Sequence, residues 1–590
     1  MTRSVEGIDV IQTATRRQET PLEPGSILLA KGHRLAEGRR PFDADTIFER
    51  DVAIPMRDGL TLRADIFRPA KTGGGEPEEK VPVLIAWGPY GKESGHGPTG
   101  DFYDALPGRM GLPKSKLSGY QSFEAPDPVE WTAHGYALCN VDIRGIGNSE
   151  GHLNYWGTAD GRDGYDAVEY LAQLPWCNGS AALVGNSWLA ISQWFIAAEQ
   201  PPHLKCIAPL EGSSDTYREN LARGGVPTPA FTNFISSNLI GREQQEDMRA
   251  MLEKYPTWNE YWEDKRARMD RITVPSYILA SFSTGLHTAG SFRAYEEIKT
   301  PRWLRVHDTQ EWFDLYSEHR ITELRSFFDR YTKGIQNNWE ATPRVRLSVL
   351  GFNKPSIVER VVPEWPLPST EFRTLYLHSS STLQPEKPVA EAHATYQSDV
   401  KAMQVDDDPE ELRFQYTFTE DAILAGYSSA TLFMSCKEHD DLDVFVQLRK
   451  ADANGMILQS LNIPAEALGL APQDIEPVNP VIYLGPTGVL RASHRKKDKK
   501  LSKPYHPISS HTDLEPVPPG TIVKLEIGLW PTAISFDKGE KLILKVSGHP
   551  MTLAEFVPLR GSFVTANKGQ HTIYLGGEHS SFISIPIAKL

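Results

Sequence analysis

"LVGNSW", Leu183 to Trp188, stands between the apolar run "AALVG" and the helix-favouring stretch "WLAISQWFIAAEQPP". A buried strand followed by a glycine-led turn and then a helix pushes the intervening side chain out above the edge of a sheet. Ser187 has Gly185 two residues before it. The helix that starts at Trp188 presents unpaired N–H groups and a positive dipole end to any negative charge that develops there. That is the local geometry of a nucleophile elbow. The glycine often found two residues after the serine is replaced by Leu189, and G-x-S by itself is common in ordinary turns, so the surrounding sequence must decide.

Outward from the elbow, strand and helix signals alternate. "VPVLIAWGPYG" (81–91) is a continuous apolar run ending in Gly and Pro, as expected of a buried central strand, and "GYALCNVDIRGIGNSEG" (135–151) is another with a Gly-rich loop. Between them and the elbow, "GRDGYDAVEYLAQLPW" carries Tyr165, Val168, Leu171 and Leu174 at helical spacing. "LKCIAPLEG" (204–212) is a further strand. This alternation argues for a parallel α/β sheet. Upstream, "FERDVAIPMRDGLTLRADIFRP" (48–69) reads as a hairpin turning at "RDG", and residues 1–45 are polar and read as a surface arm. Strand signal fades from 215 to 271, where charged and aromatic helix formers imply a helical insertion over the carboxyl edge of the sheet. The alternation resumes with "VPSYILASFS", a helix near "SFRAYEEI", "RWLRVH" and the helix "ITELRSFFDRYTKG". After the Pro-rich bridge "VVPEWPLPST" (361–370), short strands such as "ATLFMSC", "DLDVFVQL" and "KLILKVSG" dominate, as in a β-sandwich or jelly roll. The expected division is an arm (1–45), an α/β domain in two parts (46–214 and 272–365), a helical cap (215–271) and a C-terminal jelly roll (366–590).

The net charge of −14 over 590 residues argues against a nucleic-acid partner. The basic run "RASHRKKDKKLSKPYHP" from Arg491 reads as a solvated loop or a local domain contact. Four scattered cysteines, Cys139, Cys177, Cys206 and Cys436, suit neither a disulfide framework nor a zinc site, and imply a reducing compartment. No run is apolar and long enough to span a membrane, and the N-terminus carries no secretory h-region. A cytoplasmic location is expected. The alternative is peroxisomal, because Ala588-Lys589-Leu590 is similar to the S-K-L address. A homodimer is compatible with the sequence.

"GNSWLA" resembles the G-x-S-Y-x-G elbow of the cocaine-esterase-like (CocE/NonD) and X-prolyl dipeptidyl-peptidase hydrolases. "WGPYGK" (87–92) is similar to their N/T-P-Y-x-K segment and "DIRGIGNSEG" (142–151) to their D-x-R-G-x-x-x-S-E-G loop. "SFFDRYTKG", "DLDVFVQL" and "LWPTAISFDKGEKLILKVSG" resemble later segments in the same order. The resemblance covers about residues 45 to 585. It implies an α/β-hydrolase fold with a cap and a jelly roll, Ser187 as nucleophile, and an oxyanion hole made by the Tyr90 hydroxyl and the Trp188 N–H. It implies no metal or organic cofactor.

The remaining members of the triad depart from the family pattern. The acid of its W-Y-D segment is matched by Thr284 in "ASFSTGLHTAG", and the histidine of its G-P-W-x-H segment falls near Glu311 in "LRVHDTQEW". Threonine cannot be ionised and so cannot balance an imidazolium. Two readings stay open. In one, His307 is the base, with Asp308, Glu311 or Glu211 as acid. In the other, the roles of the two loops are exchanged, so that His287 is the base and Glu311 the acid. The exchange is preferred because His287 lies three residues past the usual acid position. Glu211 could also hold its own loop or pair with Arg218, and Asp142 with Arg144 reads as a structural pair. The expected activity is hydrolysis of a small ester or amide through an acyl-enzyme. The alternatives are a tailoring enzyme performing cyclisation, acyl transfer or elimination on the same site, and a catalytically dead binding protein.

Overall fold

The computed structural model describes residues 4–18, 21–70, 80–92, 102–406, 408–563 and 565–590. Its framework is an eleven-stranded sheet. In chain order the strands are β1 (Gly25–Leu29), β2 (Thr46–Pro55), β3 (Thr61–Pro69), β4 (Val81–Gly88), β5 (Ala137–Asp142) and β6 (Cys177–Asn186). They continue as β7 (Leu204–Leu210), β8 (Ser276–Ser281), β9 (Arg302–His307), β10 (Val345–Val349) and β11 (Ile357–Val362). Across the sheet they run β11-β10-β9-β8-β7-β6-β4-β5-β3-β2-β1. Strands β5 to β10 and β4 are mutually parallel, while β11 at one edge and β3, β2 and β1 at the other are antiparallel. The central strands are apolar on both faces because helices cover both. Ile85 and Leu183 enter one apolar layer, and their neighbours Leu84 and Val184 enter the other.

Helices connect these strands: α1 (Pro128–Ala133), α2 (Gly157–Ala172), α3 (Trp188–Ala198), then α4 (Ala230–Asn238), α5 (Met248–Lys254) and α6 (Glu260–Asp264) in the insertion, and α7 (Thr288–Glu297), α8 (Glu311–Leu315) and α9 (Glu318–Thr332). The insertion is not purely helical. Its short strands Ile240–Gly241 and Gln244–Glu246 pair with Arg16–Arg17 and Gln12–Ala14. Residues 1–45 therefore differ from a simple arm: they stitch onto the cap and supply β1 to the sheet. Edge pairing uses backbone groups and leaves β1 exposed except for Leu29, so this short Gly-Ser-Ile-Leu-Leu stretch shows no alternation or long apolar run to mark it.

Register sets the site. Asn186 of β6 lies opposite Leu210 of β7, and Ser281 of β8 opposite His307 of β9. The loops carrying Ser187, Glu211, Thr284 to His287 and Glu311 thus leave the sheet side by side.

From Glu371 onward a ten-stranded and a four-stranded sheet enclose an apolar core of their own. This region is fastened to the first. The Leu350 N–H donates to Ala533 O at 2.9 Å, and the buried Lys450 ammonium donates to Gly351 O at 3.0 Å. Trp365 and Leu367 of the Pro-rich bridge share a core with Tyr427 and Ala533. The basic run divides its roles: Lys497 pairs with Glu526 at 2.9 Å, whereas Lys503 crosses to Glu296 of α7. All four cysteines are buried and unpaired. No helix among the described residues is long and apolar enough to cross a membrane. At the C-terminal tripeptide, Ala588 pairs with Ile423, and Leu590 packs against the core.

The missing glycine after Ser187 has a steric counterpart. A Cβ on Gly185, whose φ is 145°, would sit 2.6 Å from Leu189 Cβ, and a Cβ on Gly88 would also strike the Leu189 side chain. Leucine fits at this position because β4 and β6 are bare where it lands. Gly185→Ala is expected to lower stability by about 1–3 kcal/mol through overpacking, and to cost less in a Leu189→Ala background than in the wild type. Urea unfolding of the single and double variants checks both. A shared core also predicts that a fragment ending near Thr370 is insoluble, which expression and light scattering would reveal.

Candidate active site

Ser187 closes β6 with φ 54° and ψ −118°, a conformation that L-residues rarely adopt. Its neighbours pin it. The Ser187 N–H donates to Glu211 O at 2.9 Å, and the Asn186 N–H donates to Glu124 O at 3.0 Å. Trp188 opens α3, so its N–H has no acceptor within the helix. Its indole is buried against Tyr155 and Trp156, with ring centroids 4.8 and 4.4 Å away, leaving the backbone as its contribution to the site. Tyr90 follows β4, with its ring edge-on to Phe123 at 5.2 Å. Its hydroxyl faces Ser187 and the Glu124 carboxyl. Burial first, and Glu124 next, raise the phenol well above its ordinary value, so it remains a proton donor.

The two histidines stand in separate carboxylate pairs. His287 caps α7, and its Nδ1 lies 3.0 Å from Glu311 Oε2, both residues being buried. Glu311 is held at the start of α8, where the Gln310 side chain accepts from the N–H groups of Trp312 and Phe313 at 2.7 and 3.1 Å. His307 donates through Nε2 to Glu211 Oε1, and its Nδ1 lies 3.1 Å from Thr309 Oγ1. The second Glu211 oxygen accepts from Ser281 Oγ at 2.9 Å, and Ser281 Oγ accepts from the Thr284 N–H at 3.1 Å. Thr284, at the usual place of the acid, thus belongs to the loop that fixes Glu211. Asp308 is half-buried and makes no hydrogen bond or ion pair to either imidazole among the described residues.

Electrostatics separates the pairs further. Burial opposes the charged form of His307, but Asp314 and Glu211 outweigh it and raise its pKa. Burial likewise works against the Glu211 carboxylate, and His307 reverses the effect and lowers its pKa. Glu211 and His307 therefore each favour the other's charged form. For His287, burial lowers and Glu311 then Glu211 raise, with a net shift upward. Glu211, His287 and Glu311 bring one ligand atom each to within 4.8 Å of one another, the spacing of a metal site. Both Glu211 oxygens and His287 Nδ1 already have partners, so the donor set reads as a proton-holding network instead.

Ser187, Tyr90, His287 and Glu311 line one cavity with apolar walls from Phe102, Phe123, Phe231, Ile235 and Phe556. Asn462, Asn479 and Glu555 of the C-terminal region complete it, and the Gln310 N–H donates across to Asn462 O at 2.7 Å. Two local pairings differ from expectation. Arg144 is clamped by Asp163 of α2 through two 2.6 Å hydrogen bonds and by Asp58 at 2.9 Å. Arg218 pairs with Asp215 at 2.9 Å, while Glu211 turns inward to His307. Sequence reasoning passed over Glu124, Ser281 and Trp312. Glu124 sits in "SFEAPDP", where a proline two residues later signals only a non-helical turn.

Comparison with known proteins places this arrangement. The chain matches the X-Pro dipeptidyl-peptidase (S15 family) model over residues 58–310, and that of the X-Pro dipeptidyl-peptidase C-terminal non-catalytic domain over 337–584. A CocE/NonD family hydrolase from Staphylococcus aureus is 30% identical, with a TM-score of 0.82 covering 98% of this chain and 99% of that one. Cocaine esterase from Rhodococcus sp. (strain MB1 Bresler) is 24% identical over 395 residues, which are 56% of this chain and 62% of that enzyme. An aminopeptidase from a marine sediment archaeon (Thaumarchaeota archaeon) shares the fold at 19% identity, with a TM-score of 0.66 over 92% of this chain and 97% of that one. A serine-bearing elbow under a cap, a jelly roll closing the cavity, and a full-length match to such a hydrolase lead to one assignment: the chain belongs to the CocE/NonD family of serine hydrolases.

Proposed function

We propose that the chain hydrolyses small esters or amides with Ser187 as nucleophile, His287 as base, Glu311 as its acid partner, and Tyr90 with the Trp188 N–H as oxyanion hole. The carrying observation is how the two imidazoles are committed. Among the described residues, His307 has both nitrogens engaged, by Glu211 and Thr309, whereas His287 is held at Nδ1 alone and lines the Ser187 cavity. His287 Nε2 takes the Ser187 proton as the hydroxyl oxygen attacks the acyl carbon, and returns it to the leaving group as the tetrahedral intermediate collapses. Water, deprotonated by the same nitrogen, then releases the acid. Glu311 holds the ring and balances its charge. The developing oxyanion meets the Tyr90 O–H and the N–H at the start of α3. The triad thus has the two loops exchanged: base after β8, acid after β9. An aromatic-walled cavity suits an apolar acyl or alcohol group, and esters are preferred to X-Pro peptides.

Ser187→Ala and His287→Ala are each expected to cost on the order of 10⁶-fold in kcat, since triad members act as a unit, and Glu311→Gln about 10⁴-fold. Tyr90→Phe should lower kcat by about 10²–10³-fold. His307→Ala leaves the Glu211 carboxylate buried without its cation and should cost about 3–5 kcal/mol in urea unfolding. Steady-state hydrolysis of p-nitrophenyl esters together with unfolding curves checks the set. A dead His307→Ala of normal stability beside an active His287→Ala would reverse the assignment. Product analysis in ¹⁸O-water separates hydrolysis from rearrangement.

The base must be neutral to act, and its pKa is raised. The acid limb of kcat/KM should therefore have its midpoint above the ordinary imidazole value of 6.5. Glu311→Gln removes the larger of the two raising charges and should move the residual limb to lower pH, which a pH–rate profile reads directly.

A further inference from the structure

Glu124 is buried, 2% exposed, and the acyl-transfer scheme leaves it without a task. Its backbone has φ 67°, a strained value for this residue type, and its carbonyl holds the Asn186 N–H behind the nucleophile. Its side chain is equally constrained. Trp312 Nε1–H donates to Glu124 Oε1 at 3.1 Å, so the residue after the acid Glu311 fixes this carboxyl too. Its other oxygen, Oε2, is buried without a hydrogen-bond partner among the described residues, and the carboxyl lines the same cavity as the hydroxyls of Tyr90 and Ser187. No Lys, Arg or His pairs with it among the described residues.

We propose that Glu124 is a positioning residue of the oxyanion hole: its carboxylic acid donates its O–H to the Tyr90 oxygen, which directs the Tyr90 O–H at the substrate carbonyl oxygen. The proposal rests on the Ser187 mechanism above. As a neutral acid, Glu124 accepts from Trp312 with one oxygen and donates with the other, matching both neighbours at once. A chain of donors polarises its last member, so Tyr90 becomes the stronger donor. As a carboxylate, Glu124 would instead draw the Tyr90 proton to itself. Only lone pairs would then face the substrate, beside a second negative charge. No covalent bond forms or breaks at Glu124, and it gains and loses no proton during turnover.

The surroundings favour the neutral acid. Burial first, and the neighbouring Glu311 next, push the carboxyl well above its ordinary range, against the pull of donors Trp312, Tyr90 and Ser187. The titratable groups facing it are Tyr90 beyond β4, Glu311 at the start of α8 with His287 behind it, and Tyr316 after α8, whose hydroxyl lies 3.3 Å from that of Tyr103. Glu555 from the C-terminal region borders the same cavity. Each is neutral or acidic except His287, which is shielded by Glu311.

The test uses the full chain with p-nitrophenyl butyrate, a fluorophosphonate that labels Ser187, and kcat/KM from pH 5 to 10. Glu124→Gln keeps a donor and an acceptor and cannot ionise. It is expected to reduce kcat less than tenfold and to lack the basic limb that wild type shows when Glu124 loses its proton. Glu124→Ala should lose about 10²–10³-fold, and should add little to Tyr90→Phe in the double variant. Thermal melting of Glu124→Gln separates these effects from misfolding. A Glu124→Gln as damaged as Glu124→Ala, an unchanged basic limb, or a loss confined to KM for cationic esters would each overturn the proposal. If wild type neither turns over the ester nor takes the label, the Ser187 reading falls and this one with it. If wild type does both, the variants judge Glu124 alone.

Discussion

The site depends on keeping ionisable side chains out of water without leaving any of them alone. Glu211, His287, His307 and Glu311 are all buried where the central strands end. An isolated charge there would cost several kcal/mol, and the penalty falls only when each is matched with an opposite charge and its remaining hydrogen-bonding atoms are filled. Glu211 meets that demand completely: His307, Ser281 and its own backbone carbonyl to Ser187 all engage it. The Glu211–His307 pair therefore acts as a rigid floor under the elbow. Among the described residues, the second imidazole is then the one of the two with a nitrogen to spare.

That division is what lets the proposed triad do without an acid at one family position and a histidine at another. Carboxylate and imidazole need to meet the nucleophile in space, and the loops after β8 and β9 are neighbours by register. The proposed exchange of groups between these two loops keeps both on the same edge of the sheet. Thr284 then turns to a supporting use, its N–H holding Ser281 and through it Glu211.

Much of this was legible in the sequence. Apolar runs such as 81–91 and the glycine before Ser187 identify the sheet and the elbow because burial on both faces leaves a compositional trace. Offsets from the family positions favour His287 and Glu311 as the proposed base and acid. What stayed hidden depends on tertiary contact. The short edge strand β1 buries only Leu29 and leaves Ile27 and Leu28 exposed, and Glu124 carries no motif because its environment is assembled by Trp312, Tyr90 and Ser187 from three distant segments. Leu189 looked like a departure from the elbow pattern until Gly88 and Gly185 were seen to make room for it.

The C-terminal region supplies Asn462, Asn479, Glu555 and Phe556 to the cavity, whereas the proposed nucleophile, base and acid all come from the first domain. Selection can act on these two jobs separately. Changes in the segments around 460–480 and 555 can resize or recharge the pocket while the bond-breaking groups stay fixed by the first domain. One catalytic core can thereby be inherited intact while substrate preference drifts, and a library confined to those C-terminal segments would explore new substrates without eroding the machinery that cleaves them.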